Sequence, residues 1–157
     1  SFGTNWRMLE FQAAIGRIQL KKLPEWVRIR RSYARMLNEA FADLPVLRLT
    51  IPGPEFGHSY YKYYVFVRPE RMKNDWNRDR IMEEVNAKGI PCFSGSCSEI
   101  YFEKAFTNLD LGPKERLPVA RELGETSLMF QVHPTLKPEN IQQTIEVVSE
   151  VLKKATR

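Results

Sequence analysis

The chain has 157 residues and a formal net charge of +5, from 24 lysines and arginines against 19 aspartates and glutamates. With 43% apolar and 27% charged residues it has the composition of a soluble globular protein, which excludes a low-complexity or disordered chain. No apolar run approaches the ~18 residues that a membrane helix needs, so we expect no membrane partner. Two cysteines, Cys92 and Cys97, are too few for a disulfide scaffold and fit a cytoplasmic protein.

The N-terminal half predicts two helices followed by two strands. Alanine-rich and apolar residues at 6–20 surround a helix on all sides, which indicates burial against another domain or subunit. Pro24 suits the first turn of a second helix, and Pro45 ends it. A short strand is predicted at 46–49. An aromatic-rich strand follows at 59–67, and both of its faces are expected to be covered.

The C-terminal half alternates helices with short strands. Asn77 is expected to cap a helix that stops at Gly89. The remaining elements, in chain order, are strand 90–93, helix 99–106, helix 117–123, strand 126–132 and a helix from Pro138. This order predicts an α+β fold, in which helices cover a small mixed or antiparallel sheet. Residues 1–23 form a helical N-terminal arm in this prediction, and residues 24–157 form the α+β domain.

The positive charge is concentrated around the second predicted helix and admits two interpretations. Lys21, Lys22 and four arginines lie there with only Glu25 as an acid. A solvated helix face is the simpler interpretation. A phosphate-bearing partner is the other, because arginine matches phosphate geometrically. No zinc-finger, basic-zipper or RNA-recognition motif is present, so we expect no nucleic-acid partner; a basic nucleic-acid-binding module stays open as an alternative.

The residue types of metal and nucleophilic sites occur, but their spacing is wrong. Four residues separate Cys92 from Cys97, and neither His58 nor His133 is near them in sequence, so we expect no metal. Cys97 has no recognisable base beside it, as a nucleophile would need. No P-loop and no Gly-x-Gly-x-x-Gly stretch occurs. His58, with Tyr60 at the entrance of the aromatic strand, is able to hydrogen-bond a polar ligand, and a structural role is the alternative.

Several strings of the sequence are typical of one family. Residues 3–8 read Gly-Thr-Asn-Trp-Arg-Met, and they are followed by Gln-Ala-Ala-Ile-Gly at 12–16 and Gln-Leu at 19–20. This pattern resembles the DegT/DnrJ/EryC1/StrS family of pyridoxal-phosphate sugar aminotransferases. Three later strings resemble the same family in the same order: His-Ser-Tyr-Tyr at 58–61, Lys-Gly-Ile-Pro at 88–91 and His-Pro-Thr-Leu at 133–136.

The resemblance implies the small C-terminal domain of a fold-type-I aminotransferase that uses pyridoxal 5'-phosphate. Such an enzyme moves an amino group from glutamate to a nucleotide-linked keto-sugar, in lipopolysaccharide, O-antigen or other amino-sugar synthesis, and acts as a homodimer. Family members are more than twice as long and carry their Schiff-base lysine in a large domain, and no lysine here lies in a matching context. We therefore expect the chain to be a truncation that is inactive alone and binds no cofactor. A non-catalytic regulatory member of the family is the alternative.

The resemblance also implies the site residues, none of which is catalytic. Asn5 would contact the cofactor phosphate of the partner subunit through its amide donor. Arg7, His58 and Tyr60 would line the nucleotide-sugar pocket, where Arg7 pairs with a diphosphate or a sugar hydroxyl. For Asn5 the alternative is a helix cap, and for Arg7 a salt bridge at a helix end. Residues 92–101 depart from the family pattern, which leaves the substrate sugar open.

Overall fold

A computed structural model gives the fold and describes residues 7–109 and 111–157. The helices are α1 (Glu10–Phe41), α2 (Arg78–Ala87), α3 (Lys104–Thr107), α4 (Pro118–Thr126) and α5 (Pro138–Ala155). The strands are β1 (Leu47–Leu49), β2 (Tyr63–Val67), β3 (Cys92–Phe93) and β4 (Ser127–Phe130). Single 3-10 turns lie at Pro69–Arg71 and Ile100–Phe102.

The four strands form one antiparallel sheet in the order β1-β2-β4-β3. Tyr63 of β2 lies opposite Phe130 of β4, and Cys92 of β3 lies opposite Phe130 on its other side. The aromatic and β-branched residues of β2 favour this central position, because they pack well on a pleated surface. The predicted α+β class with an antiparallel sheet is confirmed.

Helices cover one face of the sheet and form the core there. Tyr63 of β2 is buried, and Phe41 of α1 packs between it and Phe130, with ring centroids 6.4 Å from each. Buried side chains of α2 and α5 belong to the same core. The opposite face is only half-covered, since Tyr64 and Phe66 of β2 are half-buried. The prediction that both faces of this strand are covered is therefore wrong for the second face, and that opening is where the cleft described below lies.

The first two predicted helices are a single helix, α1, which runs through Pro24. A proline inside a helix removes one hydrogen bond and clashes with the preceding turn. Here the flanking turns are rich in leucine, lysine and arginine, which favour helix and carry it past the proline. The expected break before Pro24 is wrong. The domain boundary at residue 23 stays a prediction, and α1 is continuous across it.

The two halves of α1 differ in what covers them. The buried residues of α1 all lie near its C-terminal end, from Tyr33 to Phe41. In the N-terminal half, large apolar side chains are exposed, among them Phe11 (62%), Ile18 (54%) and Leu20 (65%). The apolar surface that the sequence predicts on this segment is therefore real, and the described part of the chain does not bury it.

The helices of the C-terminal half lie where the sequence predicts them, with small differences at their ends. The Asn77 side chain accepts a hydrogen bond from the Arg80 backbone N–H (2.8 Å), which confirms the predicted cap of α2. The helix predicted at 117–123 continues through Gly124 to Thr126. The absence of a side chain at Gly124 leaves room for Ser98. The helix predicted at 99–106 is a 3-10 turn followed by α3. Within the described ranges, no helix is long and apolar enough to cross a membrane.

Candidate functional site

The structure brings two of the predicted site residues together. Asn5 lies outside the described residues. His58 and Tyr60 lie in the loop before β2, where the His58 carbonyl accepts a hydrogen bond from Arg31 Nε of α1 (2.9 Å). Arg7 lies just before α1, and the helix rises roughly 30 Å between Glu10 and Arg31 at 1.5 Å per residue. Arg7 is therefore at the far end of α1 from His58 of the same chain.

His58 and Tyr60 form a tight turn with an unusual backbone. The Tyr60 backbone N–H donates to His58 Nδ1 (3.2 Å), and the two rings meet edge to face with centroids 4.4 Å apart. Tyr60 has φ +46°, a left-handed conformation that is uncommon and costs energy for a residue with a side chain, and strained residues of this kind cluster at active sites and ligand-binding sites. Because Nδ1 accepts a hydrogen bond, a neutral His58 carries its proton on Nε2, which is then a donor for a ligand oxygen.

This turn forms one wall of a cleft on the half-covered face of the sheet, which we call the sheet cleft. Its volume is about 420 Å³, and Tyr64 and Phe66 of β2 form its floor. Its other walls come from the segments that follow β1 and β3. The lining residues are Thr50, Pro52, His58, Ser59, Tyr60, Tyr61, Lys62, Tyr64, Phe66 and Ser96. The lining is aromatic and hydroxyl-rich and contains no carboxylate, which suits a polar, neutral or anionic ligand.

The loop after β3 closes on the floor of the sheet cleft at Gly95. The Tyr64 hydroxyl and Ser96 Oγ are 3.4 Å apart. Gly95 has φ +92°, and a Cβ placed there would lie 2.5 Å from Tyr64 Cε1. Only glycine therefore allows this approach of the loop to the ring, and the fit sets the position of Ser96.

A charged cluster that the sequence reasoning missed holds the segment that follows this loop. Arg116 donates to both carboxylate oxygens of Glu99 (2.9 and 2.5 Å). The Tyr101 hydroxyl donates to the same carboxylate (2.5 Å) and accepts from the Leu117 backbone N–H (3.1 Å). Hydrogen bonds from Arg116 and Tyr101 lower the pKa of Glu99 to about 2. Because Arg116 is 17 positions from Glu99 and Leu117 is 16 positions from Tyr101, no local spacing in the sequence predicts these contacts.

Both cysteines are free thiols, and the pKa of each is raised, which disfavours the nucleophilic thiolate. Cys92 is buried, and burial raises the pKa of its thiol to about 12. Cys97 is exposed, and a hydrogen bond with Glu103 is the main reason that the pKa of its thiol is raised. Within residues 7–109 and 111–157, no three His, Cys, Asp or Glu side chains come close enough together to hold a metal ion.

Lys62 is the one lysine of the described chain that is not exposed. Its Nζ lies 5.7 Å from the centroid of the Tyr61 ring, within the range of a cation–π contact. Lys62 therefore places its side chain in the wall of the sheet cleft.

The sequence profile of the DegT/DnrJ/EryC1/StrS aminotransferase family matches residues 1–149. The chain belongs to this family. The four family strings lie within the matched residues, and their resemblance to the family is thereby confirmed.

Three similar proteins illustrate the family's range. A "pleiotropic regulatory protein" of Geobacillus stearothermophilus is 28% identical and covers 94% of this chain. A dTDP-3-amino-3,4,6-trideoxy-alpha-D-glucose transaminase of Streptomyces venezuelae is 27% identical, also over 94%. The crystal structure of an aminotransferase from Psychrobacter cryohalolentis superposes with a TM-score of 0.88 over 99% of this chain, at 48% identity.

The matches cover only part of each similar protein. This chain spans 38% and 37% of the two curated relatives and 41% of the crystallised chain.

Proposed function

We propose that the chain is the C-terminal part of a nucleotide-sugar aminotransferase that transfers an amino group from glutamate to a nucleotide-linked keto-sugar. The observation that carries this proposal is the family match over residues 1–149, together with 48% identity to an aminotransferase of the same fold. The sheet cleft supports it, because its aromatic and hydroxyl lining suits a sugar.

In this proposal the chain binds and orients the substrate. His58 donates from Nε2 to a sugar or phosphate oxygen, and the left-handed backbone of Tyr60 holds both rings at the mouth of the sheet cleft. The Tyr64 floor and Ser96 add hydroxyl groups on the opposite wall. Arg7 and Asn5 serve a site at the other end of α1, where Asn5 contacts a cofactor phosphate in a partner subunit.

Pyridoxal phosphate supplies the electron sink of the reaction when the cofactor is bound to the longer enzyme. The lysine that holds it covalently lies outside this chain in our proposal, because Lys62 contacts the ring of Tyr61 and the other described lysines are exposed. The 157-residue chain alone is therefore inactive. The longer protein is a cytoplasmic homodimer, and the exposed apolar face of α1 supports the dimer because that face needs cover.

The test compares the 157-residue chain with the product of the complete reading frame that encodes it. Each is given pyridoxal phosphate, glutamate and a panel of keto-sugar nucleotides that differ in nucleoside and keto position, and 2-oxoglutarate is measured. We expect release of 2-oxoglutarate with the longer product only, and with one class of nucleotide. Turnover by the short chain contradicts the inactive assignment, and no turnover by the longer product contradicts the enzyme assignment.

The similarity to the Geobacillus regulatory protein favours a second candidate, a non-catalytic regulator of the same family. A regulator would bind nucleotide-sugar or cofactor without turnover. Such a regulator would release no 2-oxoglutarate in the assay above. In calorimetry it would show saturable binding of the nucleotide-sugar or the cofactor. If the longer product is active, the genes beside its own show whether the amino-sugar enters lipopolysaccharide or O-antigen synthesis, the context that we propose.

A further inference from the structure

A second cavity lies at the C-terminal end of β2, between the loop that follows this strand and the residues that follow α5. Its volume is about 450 Å³, within the range of roughly 300–1,000 Å³ that is usual for small-molecule sites. Among the described residues, it has no lining residue in common with the sheet cleft. The lining residues are Val67, Pro69, Met72, Lys73, Asn74, Trp76, Asn77, Arg78, Glu125 and Arg157. We call it the basic cavity, because three of these residues are lysine or arginine and one is an acid.

Three segments of the chain bring the cations of the basic cavity together. Lys73 lies in the loop after β2, Arg78 is the first residue of α2, and Arg157 follows α5. The Lys73 backbone N–H donates to the Ala155 carbonyl (2.9 Å), and the Arg157 backbone N–H donates to the Arg71 carbonyl (3.0 Å). These backbone hydrogen bonds fix the loop to the residues after α5. The positions of Lys73 and Arg157 are therefore set before any ligand binds, which lowers the cost of binding one.

Lys73 and Arg157 have no carboxylate partner among the described residues. Lys73 Nζ donates to the Lys154 carbonyl (2.8 Å), and the Arg157 guanidinium donates to the side-chain oxygen of Asn74. An ammonium has three N–H donors and a guanidinium has five, so these bonds leave most of the donors unused. Both positive charges are therefore available to an anion in the cavity.

The acidic residues near the basic cavity do not cancel its positive charge. Asp79 pairs with Arg78 (2.7 Å), whose side chain is only 15% exposed. Glu125, the acid in the cavity wall, lies 2.8 Å from Arg121 and 3.6 Å from Arg116, which are outside the lining. Within the described ranges, Arg78 is thus the one cation of the cavity that has an acidic partner. An excess of positive charge remains in the cavity.

We propose that the basic cavity binds a small phosphate monoester. The phosphate lies among Lys73, Arg78 and Arg157, and the organic group lies on the apolar wall that Met72 and Trp76 form. A phosphate monoester carries about −1.5 to −2 charges near pH 7 and presents three oxygens in different directions, which suits cations from three segments. A carboxylate presents two oxygens in one plane and a single charge, so it would satisfy fewer of the cations.

The size and the position of the basic cavity bear on the ligand. Inorganic phosphate would leave the apolar wall uncovered, whereas the organic group of a monoester removes that wall from water. The proposal goes beyond the proposed function and does not rest on it, because the sheet cleft and the basic cavity have separate linings.

Isothermal titration calorimetry of the product of the complete reading frame tests the proposal. The protein is first saturated with pyridoxal phosphate, so that its cofactor site does not take up the probes. The probes are phenyl phosphate, glucose 6-phosphate, inorganic phosphate and benzoate. We expect phenyl phosphate to bind most tightly and benzoate at least tenfold more weakly, since benzoate keeps the ring and loses the phosphate. The melting temperature should rise with the concentration of phenyl phosphate.

Matched variants locate the binding site. Lys73→Gln and Arg157→Gln should each weaken phenyl phosphate binding by about tenfold or more, as the loss of a charged hydrogen bond implies. Arg71→Gln and Lys153→Gln remove exposed cations from the same two segments but outside the cavity lining, and they should stay within twofold of wild type. His58→Ala alters the sheet cleft and should leave the affinity for phenyl phosphate unchanged.

Two further variants separate a lost contact from a damaged fold. Lys73→Arg keeps the charge and should bind phenyl phosphate within a few fold of wild type. Glu125→Gln removes the acid from the cavity wall and should tighten binding, an effect of opposite sign that a damaged fold does not produce. Melting curves without ligand should coincide for wild type, Lys73→Gln and Arg157→Gln.

The outcomes that overturn the proposal are distinct. Equal affinity for phenyl phosphate in wild type, Lys73→Gln and Arg157→Gln overturns it, and so does the absence of binding to wild type. Inorganic phosphate or benzoate that binds as tightly as phenyl phosphate contradicts the phosphate monoester class. A loss of affinity in His58→Ala as large as in Lys73→Gln places the probe in the sheet cleft instead. The transamination assay, which measures 2-oxoglutarate, decides the proposed function separately.

Discussion

Gly95→Ala should disturb both the stability of the chain and the shape of the sheet cleft. At φ +92° a side chain is strained, at a cost on the order of 1–2 kcal/mol. The new Cβ would also lie 2.5 Å from Tyr64 Cε1, and crowding of this kind in a packed region costs about 1–3 kcal/mol. We therefore expect a loss of roughly 3 kcal/mol in the free energy of unfolding, which for a chain of this size lowers Tm by about 6–12 °C.

Urea unfolding followed by tryptophan fluorescence measures this loss. Gly57→Ala is the matched control, because a Cβ at Gly57 has no neighbour within 4 Å and should leave stability unchanged. The crowding is isolated by repeating Gly95→Ala in a Tyr64→Ala background, where the cost should fall by about 1–2 kcal/mol. The reasoning is refuted if Gly95→Ala is as mild as Gly57→Ala, or if its cost is the same with and without the Tyr64 ring.

Three further predictions concern the cap, the core and the charged cluster. Asn77→Ala should cost about 1 kcal/mol in urea unfolding because the cap of α2 is lost, and Asn77→Ser should recover most of it; equal stability of the two variants would contradict the cap. Ile81→Ala should cost about 2–5 kcal/mol and Ile81→Val about 1 kcal/mol, since Ile81 is fully buried; a loss below 1 kcal/mol for the alanine would show that the site collapses freely. The pKa of Glu99 in the folded chain, about 2, is below its usual 4.5, so its stabilising contribution is complete above pH 4.5 and is lost as the pH falls towards 2. Protection of the backbone amides of residues 99–109 and 111–117 from hydrogen exchange, measured by NMR relative to the intrinsic rate at each pH, should fall over that range in wild type and be low throughout in Glu99→Gln. An identical acid response in both would contradict the cluster's role.

The fold was largely predictable because its signals are local. Alternating apolar residues, the Asn77 cap and the prolines at 45 and 138 each act within a few positions, and the elements that they predict are present. The break predicted before Pro24 is wrong because the penalty of one proline is smaller than the summed helix preference of the residues on either side of it. For the aromatic strand β2, cover on both faces was predicted, and the second face is only half-covered. Composition shows that a face is apolar and does not show whether another element packs on it.

The site was predictable only where it coincides with a local turn. His58 and Tyr60 are two positions apart, so the sequence already brings them together. Arg31 and His58 are 27 positions apart and are hydrogen-bonded only because the loop before β2 returns to α1, a contact set by tertiary structure. The same holds for Glu99 and Arg116. The turn at Gly95 was predictable, because the glycine lies between two serines. Its approach to Tyr64 was not predictable, because Tyr64 is on another strand.

The length of α1 restricts how the family strings at 3–8 and 58–61 can contact one ligand. The string at 3–8 ends just before α1, while the hydrogen bond from Arg31 fixes His58 to its C-terminal half. Roughly 30 Å of helix separates these points, farther than a nucleotide-sugar reaches. If both strings contact the same ligand, they must come from two chains, and the exposed apolar residues of the N-terminal half of α1 then lie where those chains meet. Among the described residues of one chain, Lys62 is the one lysine or arginine that lines the sheet cleft, and the guanidinium of Arg48 lies over the ring of Phe66 on its floor.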